Sequence, residues 1–125
     1  MRLVDTSAWI EWLVDSSTGR KVGLQIPTRE KWLVPTMVQL ELAKWLAREA
    51  GEDKADEVIA FSLRCAVTPL DTKIALMAAE LCSQYNLATA DAVVYATAQR
   101  AGADLLTCDA HFSLLPDVIY IAKKM

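Results

Sequence analysis

Apolar and polar positions along this chain switch between a strand-like and a helix-like period, and the switching predicts an order of elements. "RLVD" (2–5) is a short apolar run ending on an acid, and Trp9, Ile10, Trp12 and Leu13 follow at helical spacing. Thr6 or Ser7 can cap that helix. "KWLV" (31–34) predicts a second strand, closed by Pro35. Thr36 and Gln39 then have the spacing of a capping box, ahead of a helix with an apolar stripe of Val38, Leu42, Trp45 and Leu46. "DKADEVIAFSLR" (53–64) predicts a helix and "CAVTPL" (65–70) a third strand. "TKIALMAAELCSQY" (72–85) is helical up to Asn86, and "TADAVVYATAQRAG" (89–102) is an Ala-rich helix that Gly102 terminates. "ADLLTCD" (103–109) and "VIYIA" (118–122) complete five strands.

Strands alternating with helices imply right-handed crossovers, hence a three-layer α/β/α sandwich with a mainly parallel five-stranded sheet. In such sheets ligands bind at the carboxyl ends of the strands, near the point where strand order reverses. Asp5 and Asp109 each end a predicted strand and can therefore face one crevice. No repeat, linker or low-complexity tract interrupts the chain, and residues 1–125 are read as a single domain.

Composition narrows the chemistry. The hydrophobic fraction is 54% and the mean hydropathy +0.22, which suits strands covered on both faces or a further surface buried in a partner. A net charge of −3 argues against simple electrostatic binding of nucleic acid, so any such chemistry here needs metal ions to offset the acids. Three widely spaced cysteines without a CxxC predict reduced thiols in a cytoplasmic protein. Charged residues interrupt every long apolar stretch, so neither a membrane span nor an apolar signal region is expected.

Four carboxylates stand out, each with a plainer alternative. Asp5 and Asp109 can be caps or turn residues. Glu41 lies about 60° from Val38 on its helix and can pair with Lys44. Asp91, in the first turn of a helix, suits the macrodipole. Gathered in one crevice, however, these acids would repel one another unless cations compensated them. Mg²⁺ or Mn²⁺ prefer such oxygen ligands, and the chemistry that follows is metal-assisted phosphodiester hydrolysis.

The order "VDTSAWI", "VQLELAKW", "TADAVVYATAQRAGADLLTCDAHF" resembles the PIN-domain ribonucleases, particularly the toxin subunits of VapBC toxin–antitoxin systems, over nearly the whole chain. The resemblance implies a PIN-like fold and a metal-dependent endoribonuclease acting as the toxin of a type II system. It implies Asp5, Glu41, Asp91 and Asp109 as catalytic acids, with Asp5, Asp91 and Asp109 as ligands of Mg²⁺ or Mn²⁺. Glu41 would orient or deprotonate the attacking water. Thr6, Ser7 and Thr107 would position the acids or a water. An RNA substrate, a cognate VapB-type antitoxin and a homodimer are implied as partners. The family's last motif often carries an acid two residues beyond its fourth Asp, and here that position is His111.

Other residues carry competing readings. His111, in a turn, is expected to be a surface or hydrogen-bonded residue, and Cys108 a core residue rather than a reactive thiol. Trp9, Trp12, Trp32 and Trp45 are expected in the core or a dimer interface, with base stacking as the alternative. Arg20, Lys21, Arg29 and Lys31 form the most basic segment, which is either a set of RNA phosphate contacts or a solvated loop and helix face. Three rival functions keep parts of the pattern. A housekeeping RNA-processing PIN nuclease keeps the fold and drops the toxin role. A receiver-like or haloacid-dehalogenase-like phosphotransfer domain uses Asp5 as acceptor, but the second Asp it wants is Ser7 here, and no acid pair precedes Asp5. A non-catalytic binding module would retain the acids only as caps.

Overall fold

The computed structural model describes residues 1–124. Five strands form one sheet: β1 (Arg2–Val4), β2 (Trp32–Pro35), β3 (Ala66–Thr68), β4 (Asp104–Thr107) and β5 (Val118–Tyr120). Their order is β3-β2-β1-β4-β5, and every pairing is parallel. Leu3 of β1 stands opposite Leu33 on one side and Leu105 on the other. Leu3, Val4, Leu33, Val34, Leu105 and Leu106 are all buried, as expected of central strands covered on both faces, whereas β3 and β5 at the edges are half-buried.

Six helices complete the layers: α1 (Thr6–Leu13), α2 (Ser17–Gly23), α3 (Thr36–Glu49), α4 (Glu52–Ser62), α5 (Thr72–Tyr85) and α6 (Thr89–Arg100). Asn86, at φ 55°, turns the chain into the left-handed region where α5 stops, and Gly102, at φ 63°, does so just past α6. The expected elements all form, with ends shifted by at most two residues. None of the helices is long and apolar enough to cross a membrane, among the described residues.

Two capping expectations give way to other side-chain bonds. The Thr36–Gln39 capping box does not form. Instead Thr36 Oγ1 accepts the Leu70 N–H at 3.2 Å and Gln39 Nε2 donates to Ser62 Oγ at 3.0 Å, tying α3 to the chain beyond β3 and to α4. Neither Thr6 nor Ser7 caps α1, because both hydroxyls bond carboxylates; Asp5 occupies the cap position without a side-chain cap bond. Part of the basic segment folds as α2, which Ser16 caps by accepting the Gly19 N–H at 2.8 Å.

Gly19 is what lets α2 close against α1. A Cβ there would stand 1.9 Å from the Glu11 carbonyl oxygen, whereas one on Gly23 would meet nothing nearer than Trp12 Cδ1 at 3.6 Å. Gly19→Ala is therefore expected to cost about 2–3 kcal/mol, since backbone must move. Gly23→Ala should be neutral or stabilise by up to about 1 kcal/mol. Urea denaturation of the two variants checks the contrast, and equal midpoints would contradict it.

Aromatic side chains fill the core between α1, β2 and α4. Trp9 and Trp32 are buried with tilted rings whose centroids lie 4.5 Å apart, and Trp12 and Phe61 meet both edge-on. Core packing is thus what Trp9 and Trp32 do, and neither ring face is open to a base.

Candidate acidic site

The parallel sheet puts the ends of β1 and β4 side by side, and the strand order reverses at β1. The chain leaves β1 at Asp5, whose N–H still donates to the Leu106 carbonyl at 2.9 Å, so the carboxylate is held at the sheet's carboxyl edge. Asp5 is only 6% exposed. Its Oδ2 accepts from Ser7 Oγ at 2.8 Å and from Thr107 Oγ1 at 2.9 Å. The same hydroxyls accept the N–H groups of Cys108 and Asp109, each at 3.0 Å. With both hydroxyl hydrogens directed at Asp5, the 3.2 Å between Ser7 Oγ and Thr107 Oγ1 is a packing contact. Both bonds fall on Oδ2, and neither hydroxyl occupies Oδ1.

The other acids come from three further elements. Glu41, on α3, accepts from Thr6 Oγ1 at 2.7 Å, so α1 holds one acid through Thr6 and another through Ser7. The alternative Glu41–Lys44 ion pair is not among those formed by the described residues. Asp91 lies in the first turn of α6. Asp109 follows β4 and opens a short 3₁₀ turn, Ala110–Phe112, by accepting the His111 N–H at 2.9 Å. That turn carries the His111 ring back over the acids. Its Nδ1 is 3.3 Å from Asp91 Oδ2 and 3.4 Å from Asp109 Oδ1. Sequence reasoning left His111 outside the site, although its distance of two residues from Asp109 was the available signal.

The electrostatics are those of a cluster with too few cations. Burial pushes the Asp5 carboxyl above its ordinary range, with the Ser7 and Thr107 bonds opposing and Glu41 repulsion adding. Asp91 is also raised, first by burial and then by the charges of Asp109 and Asp5, while His111 opposes the rise. Among the described residues no lysine or arginine pairs with any of the four acids; His111 alone does. Carboxylate oxygens at this density suit a hard divalent ion, which would reverse the repulsion that the acids otherwise sustain. Asp91, Asp109 and His111 present one ligand atom each within 4.8 Å of one another.

The remaining candidates fall elsewhere. Arg29 and Lys31 immediately precede β2, at the sheet's amino end and so opposite the crevice. Arg20 and Lys21 lie on α2, where Arg20 donates to the Asp15 carbonyl. None of the four bonds an acid of the cluster, and the phosphate-contact expectation gains no support from their placement. A different basic pair is nearby: Lys44 and Arg48 line a groove of about 270 Å³ with Thr6, Ile10, Glu41 and Trp45. Helical spacing from Glu41 was the signal for it. Cys108 is buried and its thiol is pushed up to about 11 by that burial, which keeps it protonated and unreactive at neutral pH.

Thr107 links the two strand ends. Thr107→Val removes a donor to Asp5 and leaves the Asp109 N–H without its acceptor, at a position that is fully buried. A loss of about 1–3 kcal/mol is expected, read as a lower urea midpoint at unchanged slope.

A parallel sheet wrapped by helices, with carboxylates converging where its strand order reverses, defines an α/β/α protein with a switch-point acidic site. The chain belongs to the PIN-domain family, whose model matches residues 2–118. No curated protein matches it in sequence. Among solved structures, a chain of a toxin–antitoxin complex from Klebsiella pneumoniae superposes with a TM-score of 0.85 at 18% identity, covering 99% of this chain and 100% of that one. VapC20 of Mycobacterium tuberculosis, a toxin that cleaves the sarcin–ricin loop, gives 0.77 at 20% identity over 94% and 97%. A chain of the DNA-bound VapBC of Salmonella typhimurium gives 0.72 at 16% identity over 95% of each. At these identities the likeness is one of fold.

Proposed function

We propose that this protein is a metal-dependent endoribonuclease, the toxin of a type II toxin–antitoxin system, inhibited by a cognate VapB-type antitoxin and working as a homodimer. The observation that supports the proposal is the mutual repulsion of neighbouring acids, Glu41 on Asp5 and both Asp109 and Asp5 on Asp91, with no lysine or arginine among the described residues paired to any of the four. The likeness in fold to chains from toxin–antitoxin complexes supports the biological half of the reading.

In this mechanism Asp5, Asp91 and Asp109 would hold Mg²⁺ or Mn²⁺, which when bound would supply Lewis-acid polarisation of the phosphodiester and offset its charge. Ser7 and Thr107 both donate to one oxygen of the Asp5 carboxylate, which fixes it and leaves Oδ1 without a hydroxyl partner. Thr6 fixes Glu41, which orients the attacking water and takes its proton. RNA cleavage with Mg²⁺ or Mn²⁺, and none after chelation, is the expected result. Undiminished cleavage in excess chelator would overturn the mechanism. Growth arrest on expression, relieved by co-expressing a cognate antitoxin, tests the toxin role separately.

A further inference from the structure

The feature that the proposed mechanism leaves unused is His111. It stands against two of the acids, yet it is the one group there that is not an oxygen donor. Its side chain is 73% exposed, so the ring does not serve the core. What positions it is the Asp109-opened turn, whose Oδ1 accepts the His111 N–H while lying 3.4 Å from the ring's Nδ1. The same Nδ1 reaches Asp91 Oδ2 at 3.3 Å, across from a different element.

These separations are those of neighbouring ligands on one ion. Adjacent donors of an octahedral ion with bonds near 2.1 Å stand about 3.0 Å apart, so a few tenths of an ångström of side-chain rotation suffices. We propose that His111 supplies a nitrogen ligand to the divalent ion held by Asp91 and Asp109, and thereby biases the site towards first-row transition ions, Mn²⁺ among them, over Mg²⁺. This rests on the metal-dependent reading above and sharpens which ion it takes.

The bias follows from ligand chemistry. An imidazole where an acid would stand removes one negative charge from the donor set. That weakens the hold on Mg²⁺, a hard ion bound mainly through charge and oxygen. A first-row transition ion regains part of the loss through its bond to nitrogen, and increasingly so along the series from Mn²⁺ to Ni²⁺. The exposure of the ring leaves the solvent side of the ion open.

Mn²⁺ is the probe, because its paramagnetism reports both occupancy and ligand identity. Titration of the wild-type protein should give stoichiometric Mn²⁺ binding, and pulsed EPR of that complex should show ¹⁴N coupling from a directly bound histidine. His111→Ala should abolish the coupling and weaken Mn²⁺ about tenfold, with Mg²⁺, measured by competition, changing less than about threefold. His111→Asp should also lack the coupling but strengthen Mg²⁺ about tenfold, which shows that the site survives without the ring. Bound Mn²⁺ without ¹⁴N coupling in the wild type, or equal losses for both ions in His111→Ala, overturns the assignment while sparing the metal-dependent reading. No stoichiometric Mn²⁺ binding at all overturns both.

Discussion

Asp5→Asn is expected to abolish RNA cleavage, by about a thousandfold or more, while making the metal-free protein more stable. The two effects have one cause. Asp5 is buried, and burial raises the free energy of its charged form. An asparagine keeps an oxygen to accept from Ser7 and Thr107 but carries no charge into the interior. A gain of about 1 kcal/mol, or roughly 3–5 °C in Tm, is the scale for relieving such a charge. The sign of the pH dependence follows. A raised folded pKa means that the folded state binds the proton more tightly than the unfolded chain. The Asp5 contribution therefore destabilises the metal-free fold above its folded pKa and fades as pH falls towards the ordinary value near 4. The stability difference between variant and wild type should shrink across that window. Added Mn²⁺ should raise the Tm of the wild type, by binding the folded state alone, and leave Asp5→Asn nearly unmoved. A variant that cleaves RNA at the wild-type rate, or one that is less stable without metal at neutral pH, contradicts the account.

Why hydrophobic pattern and topology reach Asp5 but leave His111 with only its spacing from Asp109 is a matter of which physical rule applies to each residue. Asp5 ends an apolar run, and a parallel sheet brings strand ends together at its switch point, so topology alone predicts company for it. Asp109 is legible in the same way, and Asp91 and Glu41 through their helix positions and the family resemblance. His111 depends on how a 3₁₀ turn after β4 faces the first turn of α6, a relation between segments about which hydrophobic period says nothing. The capping box at Thr36 shows the converse error: its spacing is right, but Leu70 and Ser62 compete for the same side chains and win. The helix α2 was missed because "STGRKVG" buries only Thr18, Gly19 and Val22 and has no apolar stripe. Its position is decided by Gly19 meeting the Glu11 backbone, a contact invisible to local pattern.

Trp9→Ala should be the most destabilising single change in the chain, and it should damage the acidic site from a distance. Trp9 is fully buried, with Trp32 at 4.5 Å, Trp12 at 6.0 Å and Phe61 at 6.1 Å between ring centroids. Removing the indole leaves a cavity between two buried layers, at a cost of about 3–5 kcal/mol. That is a large part of the 5–15 kcal/mol that holds an ordinary domain together. The indole N–H has no partner among the described residues, so Trp9→Phe, which removes that unpaired donor and keeps most of the ring, should cost clearly less. Trp12 is half-buried and lines an open groove, so Trp12→Ala should also be milder. The link to the site is the first turn of α1. The Trp9 backbone N–H donates to the Asp5 carbonyl at 3.0 Å, and Thr6 and Ser7 in the same turn hold Glu41 and Asp5. Loosening the indole frees that turn, so Mn²⁺ affinity in Trp9→Ala should fall even at temperatures where the variant remains folded. Denaturation midpoints of the three variants, with Mn²⁺ titration of each well below its Tm, separate this from a role in stacking RNA. In a stacking role, Trp12→Ala would lose RNA binding at unchanged stability and Trp9→Phe would lose none of either.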